Sequence, residues 1–397
     1  MSRPRLSRRA AGLAASSTAA VARAAKALAA SGADVVDFGL GEPDFATPDF
    51  VAEAGREAIG AGRTKYTDTA GDPSLRDAIA EKYRREHRAP YGRENVLVTA
   101  GAKQAVFNAC QALFQEGDEV ALFSPYWVSF PEMVRLAGAE PLVVATDLES
   151  GWHATAERLA PVCGPRTRGV ILNSPNNPTG AVSSLDELAR LLDWCGAHDA
   201  WLIFDETYDR FLYDGRRHVS AASLPEHRDR VIVTGAASKT YAMTGWRLGW
   251  AVGPADIVAA MVSYQSHSTS NASSISQAAV LAALNDSERT ERSVAEMLGH
   301  YERRRRVMVE GLRKIPGVRV GWPEGSFYAF ADVSDLFRPK GVSGSTEFCK
   351  RLLGEAHVAA VPGDAFGNDA CVRFSFATGI ERVEEGIRRL AVWAAGS

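Results

Sequence analysis

The sequence predicts an α/β fold: a mostly parallel central sheet with helices on both faces, joined to a smaller α+β unit. Three observations carry this. From about residue 95 to 255, short apolar runs alternate with helical patterns, the signature of βαβ units. From about residue 285 the texture changes to a long charged helix, a hairpin-like stretch and short strands. Four clusters of small or polar residues stand directly after predicted strands, where open α/β sheets place their ligands.

The chain has 397 residues, enough for two or three domains at roughly 100–200 residues each. Hydrophobic residues make up 46% and charged residues 23%, so a full-sized core is available. Lys and Arg number 45 against 48 Asp and Glu, and the net charge of −3 argues against a nucleic-acid binder held by bulk electrostatics. No apolar run approaches the ~18 residues of a membrane span. The five cysteines, at 110, 163, 195, 349 and 371, are scattered and form no Cys-x-x-Cys, so a reducing compartment is expected rather than a disulfide framework. The eight histidines contain no His-x-x-x-His pair, and no metal is assigned.

Taken in order, the first thirty residues are rich in Arg, Ser and Ala and free of acids. This composition resembles a transit peptide, but the stretch reads better as a lead-in to an Ala-rich helix over 19–30 stopped by Gly32. Strands are predicted at 96–99, 120–123, 169–172, 201–204, 231–234 and 250–252. A helix over 104–115 places Val106, Phe107, Cys110, Leu113 and Phe114 on one face. Another begins at Ser184, where Ser184 and Glu187 form a capping box before Leu188, Leu191 and Leu192. Beyond 285 come a charged helix with Arg303–Arg306, a hairpin over 318–333 turning at Pro323-Glu324-Gly325, a helix over 346–355, and strands at 358–361 and 372–376. The four arginines read as a solvated helix face rather than a nucleic-acid patch.

The strand-end clusters carry the chemistry. Ala100-Gly101-Ala102-Lys103 opens a helix, so small residues there let backbone N–H groups approach a phosphate at the positive end of the helix dipole. Asn173-Ser174-Pro175-Asn176-Asn177-Pro178-Thr179-Gly180 forms a rigid loop that presents amide side chains. Asp205 ends an apolar strand; alone, it reads equally well as a helix N-cap. Lys239 follows a buried strand among small and apolar residues, which would desolvate it and suit its amine to Schiff-base chemistry, whereas an isolated lysine is ordinarily a surface group. Arg247, eight residues on, suits bidentate binding of a phosphate or carboxylate. An amine, a carboxylate, amide and phenol donors and a phosphate turn together suggest pyridoxal phosphate chemistry.

From about residue 7 to 390 the sequence resembles the class I aminotransferases of the fold-type I pyridoxal phosphate enzymes, and among them the bacterial aspartate aminotransferase branch, which includes aspartate/prephenate aminotransferases. The resemblance rests on Gly41-Glu42-Pro43-Asp44-Phe45, Lys65-Tyr66-Thr67 before Ala70-Gly71, and Gly101-Ala102-Lys103-Gln104-Ala105. It continues with Ser124-Pro125-Tyr126-Trp127, the Asn176–Gly180 loop, Asp205, the Lys239–Arg247 segment and Val372-Arg373-Phe374-Ser375.

The resemblance implies roles. Lys239 would bond the cofactor aldehyde and move the substrate proton, Asp205 would pair with the ring nitrogen, and Asn177 and Tyr208 would bond the ring oxygen. Trp127 would stack on the ring. Arg247 would clamp the phosphate with help from the Gly101 and Ala102 amides and Ser238. Arg373 would take the substrate α-carboxylate near Gly41 and Asn177, and Trp127 would also border the substrate. Thr18 and Lys103 would receive a distal carboxylate, favouring aspartate, glutamate and 2-oxoglutarate. Tyr66, with part of 268–271, would reach the phosphate of a neighbouring subunit, implying a homodimer. Two departures stand out. The third basic residue of some members falls at 12–15, where nothing is basic, leaving prephenate use open. The small residue usual three positions before the lysine is Ala236 here, with Gly235 beside it.

The expectation is a cytoplasmic, dimeric aminotransferase using pyridoxal phosphate, with no nucleic-acid or membrane partner. Its large cofactor-binding domain would span 50–285, and its small domain would combine 1–49 with 286–397. The alternative is an enzyme of the same scaffold acting on a specialised amino acid as transaminase, lyase or cyclase. A sensor-type transcription regulator is least favoured, since about forty residues before Gly41 are few for a folded DNA-binding module.

Overall fold

The computed structural model describes residues 6–13 and 17–396. Residues 1–5 of the expected N-terminal lead-in, and residues 14 and 15 of the stretch compared with the third basic residue, lie outside them.

Seven strands form the central sheet: β1 (Val96–Thr99), β2 (Glu119–Ser124), β3 (Glu140–Ala145), β4 (Thr167–Asn173), β5 (Trp201–Asp205), β6 (Val231–Ala236) and β7 (Gly249–Val252). Their order is β1-β7-β6-β5-β4-β2-β3. The β1–β7 and β7–β6 pairs are antiparallel and the other four are parallel. The two faces can be read from side-chain alternation. Val170, Leu172, Leu202, Phe204, Val231 and Val233 enter one core with Leu75, Ile79, Leu188 and Leu191. Ile171, Ile203 and Ile232 enter the other with Val106, Cys110, Met133 and Met261. A sheet covered on both faces is built from apolar runs, and these are the runs that mark its strands in the sequence.

The expected helix starting at Ser184 is Leu185–Ala197, with both halves of the capping box formed. The helix expected over 104–115 is Ala102–Leu113, and its successor Phe114 is extended but buried in the same core. The N-terminal helix is Ser17–Ala30, and Gly32 takes a left-handed φ of 95° just beyond it. The strand pattern of the sequence does not include β3. It is an edge strand that carries an apolar run, Leu142–Ala145, but buries only Val144.

A second sheet is antiparallel and four-stranded, in the order Val361–Pro362, Cys371–Ser375, Tyr328–Asp332, Arg319–Val320. Helices Ser287–Arg313 and Ile380–Ala395 accompany it. The hairpin over 318–333 forms, with Ala331 opposite Val320. Its tip is fastened to the large sheet's loops: Glu324 N and Gly325 N both donate to Gly180 O, at 3.0 and 2.9 Å. The single strand expected at 358–361 is two. Val358–Ala359 pairs with Val36–Asp37, while Val361–Pro362 joins the other sheet.

The reading of Arg303–Arg306 as a solvated face is corrected for its middle pair. Arg304 and Arg305 are only 7% and 5% exposed. Arg304 makes a bidentate pair with Asp44 (2.8 and 2.9 Å), and Arg305 one with Asp214 (3.0 and 2.6 Å). Periodicity along the helix carries no information about acids 260 and 91 residues away. Asp44→Ala would leave the Arg304 charge buried and alone, which is expected to cost about 2–3 kcal/mol, somewhat less than a fully enclosed pair because Asp44 is partly exposed. The check is the urea unfolding midpoint, which should fall for Asp44→Ala and largely recover when Arg304→Met is added.

Candidate active site

Burial and turn chemistry bring the strand-end clusters to one place. A cavity of about 550 Å³ opens at the carboxyl ends of the central strands. Of the residues expected there, Thr18, Gly41, Ala102, Lys103, Trp127, Asn177, Asp205, Tyr208, Ser238, Lys239, Arg247 and Arg373 all line it. Gly101 and Tyr66 do not, and Tyr66 is 90% exposed elsewhere on the chain surface.

Asp205 closes β5, and no helix follows it, so it is not a helix cap. Its Oδ1 accepts from Thr207 N at 3.0 Å. Burial pushes its carboxyl up to about 6 against the pull of the Thr207 hydrogen bonds. Neighbouring Asn173, at the end of β4, donates from Nδ2 to Asp205 O (2.8 Å) and accepts from Asn177 N (2.7 Å). One amide side chain thus fixes both the acid and the loop beside it. Tyr208 and Tyr328 share a hydrogen bond between their hydroxyls at 2.8 Å.

Lys239 sits in a single helical turn, Ala237–Thr240, directly after β6. Its amine donates to Gly41 O. Burial lowers its pKa to about 7; Glu42 opposes the shift, while Arg373 and Arg247 add to it. Arg247 follows in a left-handed conformation (φ 54°) and donates from Nη1 to Thr244 O at 2.9 Å. The expected Gly101 amide is committed elsewhere, donating to Thr99 O at 2.8 Å. What Gly101 supplies is its missing side chain: a Cβ there would stand 2.5 Å from Arg247 Nη2. The Ala102 amide lies in the first helical turn, where intrahelical partners are lacking.

Arg373 enters from the second sheet, buried between Phe330 and Val361 of the flanking strands. It donates to Asn177 Oδ1 and to Gly39 O, both at 3.0 Å, and its Nε is buried without a partner. Lys103 Nζ stands 5.0 Å from the centre of the Trp127 ring, and burial lowers its pKa. Ser238 and Ala236 both face the cavity wall, so the Ala236 departure falls on a lining position.

Four further titratable lining residues have no role in the sequence analysis. Glu42 accepts from Thr244 Oγ1 at 2.6 Å, Tyr328 lies under the Arg373 guanidinium at 4.3 Å, and Asp37 accepts from Gly39 N at 2.8 Å. The fourth is Lys26, two turns after Thr18 on the same helix. Glu42 belongs to the Gly41–Phe45 motif, which is a signal; the others sit in ordinary apolar or Ala-rich contexts with none.

These residues fit pyridoxal phosphate. The cavity is of the size that small cofactors fill, and it presents a low-pKa amine, a buried carboxylate and a cation beside a helix N-terminus. The unpartnered Arg373 Nε leaves a donor for a carboxylate.

Residues 33–390 match the family model of class I and II aminotransferases, and the chain belongs to that family. The chain is 40% identical to an aspartate aminotransferase of Geobacillus stearothermophilus, over 97% of this chain and 98% of that one. It is 42% identical to the aspartate/prephenate aminotransferase of Thermus thermophilus, over 97% and 98%. Among solved structures, the aspartate aminotransferase of Thermus thermophilus with maleate superposes with a TM-score of 0.93 at 41% identity, covering 98% of this chain and 100% of that one. This chain is an aminotransferase.

A cavity-lining amine whose pKa is lowered to about 7 becomes neutral, and therefore nucleophilic, about three pH units below an exposed lysine. In cofactor-free protein, acetylation of Lys239 by acetic anhydride should rise through pH 7 and level off above it, as read by peptide mass mapping. A Lys239 that titrates with the exposed lysines, at about 10, would contradict the burial argument.

Proposed function

We propose that this aminotransferase uses pyridoxal 5′-phosphate to move the amino group of a dicarboxylic amino acid, aspartate or glutamate, to a 2-oxo acid such as 2-oxoglutarate. The observation that carries the reading is the meeting of Lys239, Asp205 and Arg373 in one cavity, each delivered by a different strand end or strand. When bound, the cofactor supplies an aldehyde and an electron-accepting ring.

The chain's own groups account for the rest. Lys239 Nζ, about half of it neutral at pH 7, would bond the cofactor aldehyde and serve as the base at the substrate Cα. Asp205, ionised above about pH 6, holds a proton on the ring nitrogen. Asn177 and Tyr208 would hydrogen-bond the ring oxygen of the cofactor, and Trp127 would stack on the ring. Arg247, the Ala102 amide and Ser238 bind the phosphate, while Gly101 makes room for the arginine. Arg373 grips the α-carboxylate near Gly41. Thr18 and Lys103 receive the distal carboxylate. The matching aspartate aminotransferase of Thermus thermophilus was solved with maleate, itself a dicarboxylate, which supports this choice.

A homodimer completes the reading. Tyr66 is too exposed to serve its own chain's cavity and would reach a partner's phosphate, with part of 268–271 beside it. Residues 50–285 form the large cofactor-binding domain, and 1–49 with 286–397 the small one. The five free thiols suit a cytoplasmic setting. Among the described residues no helix is long and apolar enough to cross a membrane.

The deciding experiment is a half-reaction screen of the twenty amino acids, followed by the absorbance of the bound cofactor. Aspartate and glutamate should convert it to the amine form and release oxaloacetate and 2-oxoglutarate. Release of pyruvate, ammonia or a cyclised product would point to the specialised-substrate alternative. Lys239→Ala should abolish transamination. Lys103→Ala should lower kcat/KM for aspartate about 10- to 100-fold, the worth of a charged hydrogen bond, while sparing alanine. An equal loss on both substrates removes Lys103 from the side-chain pocket.

A further inference from the structure

Next to the Lys239 turn, outside the cavity lining, lies a buried ion cluster that none of the assigned roles uses. Lys82, on helix Pro73–His87, is 5% exposed. Its Nζ donates to Glu86 Oε2 at 2.8 Å and to Asp209 Oδ2 at 3.1 Å. The other oxygen of the same carboxylate, Asp209 Oδ1, accepts from Thr240 Oγ1 at 3.1 Å. Asp209 directly follows Tyr208, and Thr240 directly follows Lys239. One carboxylate therefore joins the turn that carries the tyrosine to the turn that carries the amine, and a buried ammonium on a third element holds that carboxylate in place.

The backbone bonds that otherwise hold the Lys239 turn are few, and just past it Thr47 Oγ1 donates to Ala242 O at 2.8 Å. Tyr241 N donates to Ala237 O, Ala242 N to Lys239 O and Met243 N to Ser238 O, while Ala237 N reaches Leu248 O. A single helical turn is easily deformed, and its side chains inherit every tilt of its backbone. A displacement of the amine by a fraction of an ångström is enough to slow a proton transfer. The neighbouring Glu206 cannot take over this tie, because its two oxygens are engaged by Tyr83 and His218.

We propose that Asp209, held by Lys82, is a positioning residue that acts through the Thr240 hydroxyl to set the Lys239 amine against Tyr208 and Asp205. The inference rests on Lys239 being the reactive amine of the proposed function. Thr240 is buried and does not line the cavity, so replacing it leaves the groups that touch substrate and cofactor in place. The charges acting on the amine from the surrounding elements, Glu42, Asp205, Arg247 and Arg373, are likewise retained.

The test compares Thr240→Val, which keeps the shape and removes the hydrogen bond, with Thr240→Ser, which keeps the bond, in cofactor-loaded protein. Thr240→Val should lower kcat about tenfold while the amino-acid KM stays within about twofold. It should also move the pH midpoint of the bound cofactor's absorbance by about half a unit, and Thr240→Ser should restore both. Asp209→Asn should reproduce the Thr240→Val phenotype; Thr240→Val decides the matter if that variant fails to fold. Wild-type kcat and midpoint in Thr240→Val would overturn the inference. So would equal impairment of the Val and Ser variants, or a loss confined to thermal stability. Wild-type protein that forms no covalent link to the cofactor through Lys239 would instead remove the underlying reading, which separates the two failures.

Discussion

An ammonium group loses hydration when it is buried, and a lysine enclosed without a dedicated carboxylate gives up its proton instead. Lys239 is placed in that situation. The strand before it is buried on both faces, its turn is one helical turn long, and its amine meets a backbone carbonyl of the Gly39–Glu42 segment rather than an acid. The nearby acids are otherwise occupied: Asp205 by the Thr207 amide and Glu42 by the Thr244 hydroxyl. A nucleophilic amine near neutral pH follows from this arrangement, and the roles assigned to the rest of the cavity depend on it.

The cavity needs both halves of the molecule. The central sheet brings Asn173, Asp205 and the Lys239 turn side by side, because β4, β5 and β6 are adjacent and parallel. The second sheet contributes Arg373 and Tyr328, which stack against each other at the cavity rim. Two ties hold the halves in register: Arg373 to Asn177 and the hairpin tip to Gly180. Both end on the Asn173–Gly180 loop, so the loop that presents Asn177 is also where the halves are fastened.

Much of this is legible in the sequence because it is written in local chemistry. Strands buried on both faces appear as Val-Ile-Leu runs, and the capping box at Ser184 marks a helix start by itself. Gly101, Asn177, Asp205 and Lys239 are conspicuous because small or polar residues interrupt apolar strands at their ends. The parts that escape depend on distant partners or on half-burial. The strand at Glu140–Ala145 borders the sheet and buries only Val144. Arg304 and Arg305 look like solvated charges until Asp44 and Asp214 fold against them. The sequence suggests that Gly101 lends its amide, yet the turn commits that amide to Thr99, and the residue is needed for the space it leaves beside Arg247. Asp209 and Lys82 carry no local signal, since nothing nearby in the sequence announces that the two and Thr240 converge.

The proposed chemistry turns on the bond between the Lys239 amine and the cofactor aldehyde, and chemical trapping reads that bond directly. Protein loaded with pyridoxal phosphate is reduced with borohydride, digested and mapped by mass spectrometry. The expected result is a phosphopyridoxyl adduct on the peptide carrying Lys239 and on no other lysine. An adduct on a different lysine, or none at all from protein that has bound the cofactor, would contradict the assignment.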